Sequence, residues 1–435
     1  MRISSVVALL ASLFVPVQPA RAQLTGAERA LVASIDARLP EAVALLRRMV
    51  DINSGTMNFK GVRQVGAVLA PEFEALGMQT EWVDGAAWNR SGHLMARSGK
   101  QGLHLLLIGH LDTVFEPDSP FQEIEAIDER HMKGPGITDM KGGNVVMLLA
   151  LQALHEAGLL ERCRVTVVLT GDEEKAGRPL EQSRQHLIDA AREADVALGF
   201  EDGDGDPRTA VIARRGASGW RLEVTGTPAH SSQIFREDIG VGAIFESARI
   251  LAAFADSLSG EDHLTFNPGV IVGGTQVDLD ASSNRGNAFG KTNVIPASTQ
   301  VIGDLRSLSI EQRERAKGSM QRIVARSTPH TSAQITFRDG YPPMAPTDGN
   351  RRLLGLFDQA SRDLGFGPVD AVDPARAGAA DVAFAAQFVP MVMDGVGLMG
   401  TGGHTTDETA DLDTLPVQAK RVAVLLGRLI ATASQ

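Results

Sequence analysis

Two histidines and three carboxylates in this chain are of a type and context that could bind metal. His110 lies in Gly109-His110-Leu111-Asp112, Asp139 in the run G-P-G-I-T-D-M-K-G-G that ends at Gly143, Glu174 closes T-G-D-E-E, Glu201 sits in F-E-D, and His404 ends G-G-H. Imidazole and oxygen donors without a thiolate suit zinc, cobalt or manganese rather than a structural Cys-rich site. Five ligands exceed one tetrahedral zinc, and they suit two metals about 3.5–4 Å apart that share a carboxylate. Taken alone, Asp139 before an apolar helix reads as an N-cap, and D-E-E after a strand reads as a solvated turn. Together they point to a hydrolytic centre. Asp112, two residues along an extended chain from His110, is placed to accept the other ring N–H of that imidazole. Glu173 stands beside a ligand without having to be one, which is where a general base belongs.

The elements that must position these residues are legible from apolar patterning. Continuous apolar runs at 102–108, 165–169 and 196–200 read as strands buried on both faces. They end at His110, at Asp172-Glu173-Glu174 and at Glu201, the strand ends where open α/β sheets bind ligands. Helical spacing covers 24–49 and 62–76, and residues 140–157 form an apolar helix stopped by Gly158, which puts Asp139 at its N-terminus. After Arg215 the texture changes. Trp220, Leu222 and Val224 alternate with Arg221, Glu223 and Thr225, the pattern of a strand with one wet face. A helix at 242–258, strands near 270–272 and 301–305, a helix at 310–326 and a strand at 333–337 follow. This βαββαβ order predicts a ferredoxin-like antiparallel sheet with two helices on one face. A helix at 351–364, a strand at 389–393 and a helix at 415–433 return to the first domain. The fold class is therefore α/β: a mixed sheet flanked by helices, interrupted by an α+β insert. The expected segments are 1–22, 23–215, 216–327 and 328–435.

Residues 1–22 have the shape of a signal peptide, with Arg2, an apolar run over 6–15 and Ala20-Arg21-Ala22 as the cleavage site, so an exported, periplasmic or secreted protein is expected. Cys163 is the only cysteine, which precludes an intrachain disulfide and reads as a small core residue. The net charge of −11 argues against nucleic acid or an anionic membrane as partner. Gly395-Val-Gly397-Leu-Met-Gly400 fits a dinucleotide fingerprint but lacks the βαβ unit that would give it meaning. Asp202-Gly-Asp204-Gly-Asp206 begins like a calcium loop but has Pro207 at its sixth position.

The motifs H-L-D-T-V, G-P-G-I-T-D-M-K-G-G, T-G-D-E-E, F-E-D, G-T-P-A-H-S, T-N-V-I-P, D-L-R and G-G-H, in this order, resemble the M20 family of metallopeptidases, particularly its glutamate carboxypeptidase branch. The resemblance implies that His110 and Glu201 hold one zinc, that Glu174 and His404 hold the other, and that Asp139 bridges them with Glu173 as general acid/base. It also implies a cis peptide after Asp139 and a lid and dimerisation role for the insert. From that insert His230 would reach the scissile carbonyl, Asn293 would assist, and Arg306 would grip a substrate carboxylate. Gly378-Ala379-Ala380-Asp381 departs from the family's G-G-T-D or G-T-D, and the stretch from Tyr341 to Pro346 carries no assigned role. The function implied is zinc-dependent hydrolysis of an amide in a small N-acyl amino acid or peptide, releasing a residue with a free carboxylate. The competitors are a deacylase or aminopeptidase with the same metals, and a non-catalytic periplasmic binding protein on the same fold.

Overall fold

The computed structural model describes residues 24–280 and 284–433. The expected signal segment lies outside them. The chain opens with helix α1 (Gly26–Val50), started by a capping box between Thr25 and Glu28 that satisfies two orphan backbone donors. Helix α2 (Phe59–Glu74) follows, then strands β1 (Gln79–Asp84), β2 (Gly92–Ser98) and β3 (His104–His110). Helix α3 (Gly142–Glu156) leads to β4 (Arg164–Thr170) and β5 (Val196–Gly199). The apolar runs announce β3, β4 and β5 but not β1 and β2. In β1 only Val83 is buried, so no apolar run marks it.

A second unit then interrupts the first. It comprises β6 (Gly216–Gly226), helix α4 (Gly242–Leu258), β7 (Thr265–Gly274), β8 (Ser298–Ser307), helix α5 (Ile310–Val324) and β9 (Thr331–Asp339). Its antiparallel sheet has the order β7-β8-β6-β9, the ferredoxin-like arrangement. Trp220, Leu222 and Val224 pack with Phe254, Val301 and Met320 under the two helices, which is what the alternation along β6 requires. The expected end of the insert at 327 needs correction. Strand β9 pairs with β6 from Thr331↔Gly226 to Asp339↔Ser218, so the second sheet claims the chain as far as Asp339. A hairpin of Gln276–Asp280 with Arg285–Phe289 adds to this unit.

The chain returns through helix α6 (Asp348–Asp363), strand β10 (Met391–Met393) and helix α7 (Thr414–Ala433). The first sheet then has the order β1-β2-β4-β3-β5-β10, with β4, β3, β5 and β10 parallel and the first two strands antiparallel. Helices α1, α3 and α7 cover one face; α3 is buried on all sides, consistent with an apolar helix between layers. Cys163 is buried just before β4, and burial pushes its thiol up to about 11, as befits a core residue. No helix among the described residues is long and apolar enough to cross a membrane.

Candidate metal centre

Three neighbouring parallel strands deliver the first donors. Strand β3 ends in His110, β4 runs into Asp172-Glu173-Glu174, and β5 runs into Glu201. Asp139 arrives from the turn before α3. It is not an N-cap, the reading its position alone would give: Asp139 and Met140 have non-helical dihedrals, the peptide between them is cis, and α3 starts only at Gly142 without a side-chain cap. Gly143 lets this helix start press onto the end of β5, where a Cβ would lie 1.9 Å from the Phe200 carbonyl oxygen. That approach carries the Asp139 turn toward Glu201.

The two oxygens of Asp139 divide between two histidines. Oδ1 lies 2.9 Å from His110 Nε2 and Oδ2 lies 2.9 Å from His404 Nε2. Glu201 stands 3.6 Å from His110 Nε2, and Glu174 stands 3.2 Å from His404 Nε2. Two triads result, His110 with Asp139 and Glu201, and Asp139 with Glu174 and His404, each with its ligand atoms within 4.8 Å of one another. Glu174 Oε1 is buried and has no hydrogen-bond partner, a free lone pair in the middle of the cluster. His404 is the member most open to solvent, with 58% of its side chain exposed.

The electrostatics are those of crowded carboxylates. Burial pushes Glu174 up to about 7, aided by the charge of Asp139. Burial also holds Glu173 well above the carboxylate range; His110 opposes this, while Asp381, Glu201 and Glu174 add to it. Hydrogen bonds to Asp139 and Glu174 push His404 up to about 11. A donor set of this chemistry, with a shared carboxylate and an orphaned carboxylate oxygen, fits a pair of divalent ions.

Behind the donors, buried groups fix the backbone that bears them. Asp112 accepts from the backbone N–H groups of Glu173 and Glu174 at 3.0 and 3.1 Å and from Thr56 Oγ1 at 2.6 Å. Its expected bond to the imidazole is largely taken over by its own backbone carbonyl, 3.0 Å from His110 Nδ1, with the carboxylate at 3.5 Å. The carboxylate serves two N–H groups instead because the turn after β4 passes directly over it. Glu408, which the sequence did not single out, accepts from the backbone N–H groups of Gly136, Thr138 and Asp139 and so clamps the Asp139 turn. Asp394 accepts from the Glu201 N–H at 3.2 Å and pairs with Arg214. Arg184, fully buried, bonds Asp172 and Asp381 at 2.6 Å each and reaches Tyr341, whose hydroxyl donates to the Glu173 carbonyl. Asp381, in the segment that departs from the family pattern, is therefore turned inward, and Tyr341 gains a role. No local signal marks Glu408, Asp394, Arg184 or Tyr341 for these roles, since each role depends on a contact with a distant stretch of chain.

The candidates from the second unit are not assembled with these. His230 bonds Ser232 Oγ at 2.8 Å, and its neighbour Ser231 donates to the Asn293 carbonyl. Arg306 is spent on Asp304 at 2.8 Å. Among the described residues, none of the three makes a hydrogen bond or ion pair with the metal-ligand cluster.

Known proteins resemble this chain over most of its length. It is 25% identical over 394 residues to carboxypeptidase G2 of Pseudomonas sp. (strain RS-16), covering 89% of each. It is 27% identical over 386 residues to a succinyl-diaminopimelate desuccinylase of Gluconobacter oxydans (strain 621H), covering 86% of this chain and 94% of that protein. Among solved structures, the Bacillus subtilis YXEP protein, described as a dinuclear metal binding peptidase from M20 family, superposes with a TM-score of 0.61 at 15% identity, covering 92% of this chain and 99% of that one. The pattern of Peptidase family M20/M25/M40 matches residues 106–428. With three quarters of its length inside that match and the ligand-bearing turns among it, the chain is a hydrolase that belongs to peptidase family M20/M25/M40.

Proposed function

We propose that the protein is a dinuclear zinc hydrolase that cleaves the amide of a small N-acyl amino acid or peptide and releases a residue with a free α-carboxylate. The observation that carries this is the sharing of Asp139 between two separate triads. His110 and Glu201 would hold one ion, Glu174 and His404 the other, and cobalt or manganese could substitute for zinc. When bound, the ions would polarise the scissile carbonyl and acidify a water. Glu173 would take the proton of the attacking water and pass it to the leaving amine, a task favoured by its raised affinity for a proton. His230, helped by Asn293, would steady the developing oxyanion. Arg306, released from Asp304, would hold the substrate carboxylate bidentately. The 25% identity to carboxypeptidase G2 supports this reading; the similarity to a desuccinylase supports an N-acyl amino acid deacylase as the second.

His230 would come to the site by closure of the two units or from a second copy. A homodimer through the second unit is favoured by exposed Phe235, Ile244, Phe245, Ile271 and Phe289 near β7, which among the described residues is an edge strand of its sheet. A monomeric mass in solution would count against it. Export to the periplasm or beyond is proposed from the signal-like first residues and is tested by N-terminal sequencing of the mature protein. The decisive experiment is amino-acid release from a panel of N-acyl amino acids and dipeptides, with zinc and with chelator. Release that chelation abolishes and zinc restores is expected; release indifferent to chelation would sink the metal reading.

A further inference from the structure

One sizeable cavity does not lie over the candidate metal ligands. It is a cleft of about 780 Å³ between the turn after Glu174 and the helix-free face of the second sheet. Because Trp220, Leu222 and Val224 point into the core beneath α4 and α5, the intervening Ala217, Gly219 and Arg221 face the cleft. Its floor is nearly bare. A Cβ on Gly219 would approach nothing closer than 3.9 Å, and one on Gly269 nothing closer than 3.6 Å. Glycine inside a strand weakens it and often marks a place where a ligand approaches the backbone.

The walls of this cleft are cationic in a protein of net charge −11. Arg178 enters from the catalytic unit and Arg338 from β9, directly across from Gly219. Among the described residues neither guanidinium makes a hydrogen bond or ion pair. The other charged members are paired: Arg221 with Glu223 and Asp304 with Arg306. Partial burial, and then the charge of Arg338, holds Arg178 below its ordinary value despite the opposing charge of Glu181, so the two guanidinium groups sense each other. The cleft is also joined to the chemistry. Gly340 lines it, and the next residue, Tyr341, donates its hydroxyl to the Glu173 carbonyl.

We propose that Arg178 and Arg338 form an anion subsite that receives a second acidic group of the substrate, carried on the acyl side of the scissile amide. This rests on the amide-hydrolase reading and narrows its substrate class to dianionic N-acyl amino acids or peptides. An anionic group between two unpaired guanidiniums gains charge-assisted, bidentate hydrogen bonds, and a neutral isostere of the same length gains none.

The test separates this from the parent reading. Calorimetry on the zinc-loaded Glu173→Gln protein compares N-succinyl-, N-glutaryl- and N-adipoyl-alanine with N-butyryl-alanine, in that background alone and with Arg178→Gln or Arg338→Gln added. At least one dianionic compound should bind about tenfold more tightly than the butyryl compound. Each arginine replacement should remove most of that preference and leave butyryl binding unchanged. Equal affinities, no binding of any dianionic compound, or a preference that survives both replacements would overturn the subsite. Alanine release from N-butyryl-alanine by the unmodified protein reports on the hydrolase reading independently, because the binding preference is read without turnover.

Discussion

The two units of this molecule hold their candidate residues by different means. In the first, the turns that bear Asp139, Glu173, Glu174 and Glu201 are tied down from behind by buried polar groups: Asp112 for Glu173 and Glu174, Glu408 for Asp139, Asp394 for Glu201. In the second, among the described residues, His230 and Arg306 have only near neighbours in sequence for side-chain partners, Ser232 and Asp304. The first arrangement is preorganised, so a ligand that binds it meets little reorganisation. The second leaves its side chains free to be recruited, which is what residues that engage substrate only after closure or association require.

The largest effect should come from within the preorganised unit. Glu173→Gln should keep the metal content measured by elemental analysis while lowering kcat by about 10²–10⁴. Equal loss of metal would show that base and ligand have been exchanged. Arg184→Met would strip Asp172 and Asp381 of their buried partner and should cost about 3–5 kcal/mol in urea unfolding. Arg249→Met in the second unit, where the cation is 35% exposed, should cost much less, and similar losses would erase the contrast.

His230→Ala should reduce kcat by about 10², with little change in the melting temperature, since the side chain is exposed. Unchanged turnover would remove it from the mechanism. The smallest effect concerns acid stability. Burial would raise the Glu246 carboxyl, but hydrogen bonds from Arg249 and Thr328 prevail and hold it below its ordinary 4.5. A carboxyl depressed in the folded state contributes stability above its unfolded value and loses it as pH falls through the folded one. Glu246→Gln should therefore flatten the decline in melting temperature below about pH 4.5. A decline as steep as in the parent would assign it to other carboxylates.

How much could be read beforehand follows the range of the interactions. The ends of β3, β4 and β5 were legible because strands buried on both faces show as apolar runs, and polar residues just past them stand out. The second sheet was legible through the alternation along β6. The non-helical turn at Asp139–Met140 was invisible to periodicity, which carried the helix back to Met140 where it starts at Gly142. The expected boundary at 327 cut the insert off before a strand that its βαββαβ order already counted; pairing of β9 with β6, more than a hundred residues earlier, fixes that strand in the second sheet.

The sequence by itself determined which residues can act as donors, base and apolar core, because residue type and local spacing are properties of the chain. The tertiary structure alone decided that Asp139 lies between His110 and His404, that Asp112 serves the backbone of Glu173 and Glu174 more than the imidazole, and that Arg178 and Arg338 face one cleft. Each of these depends on where folding brings distant segments, and burial then makes the resulting polar contacts selective, since a buried group left without a partner is costly.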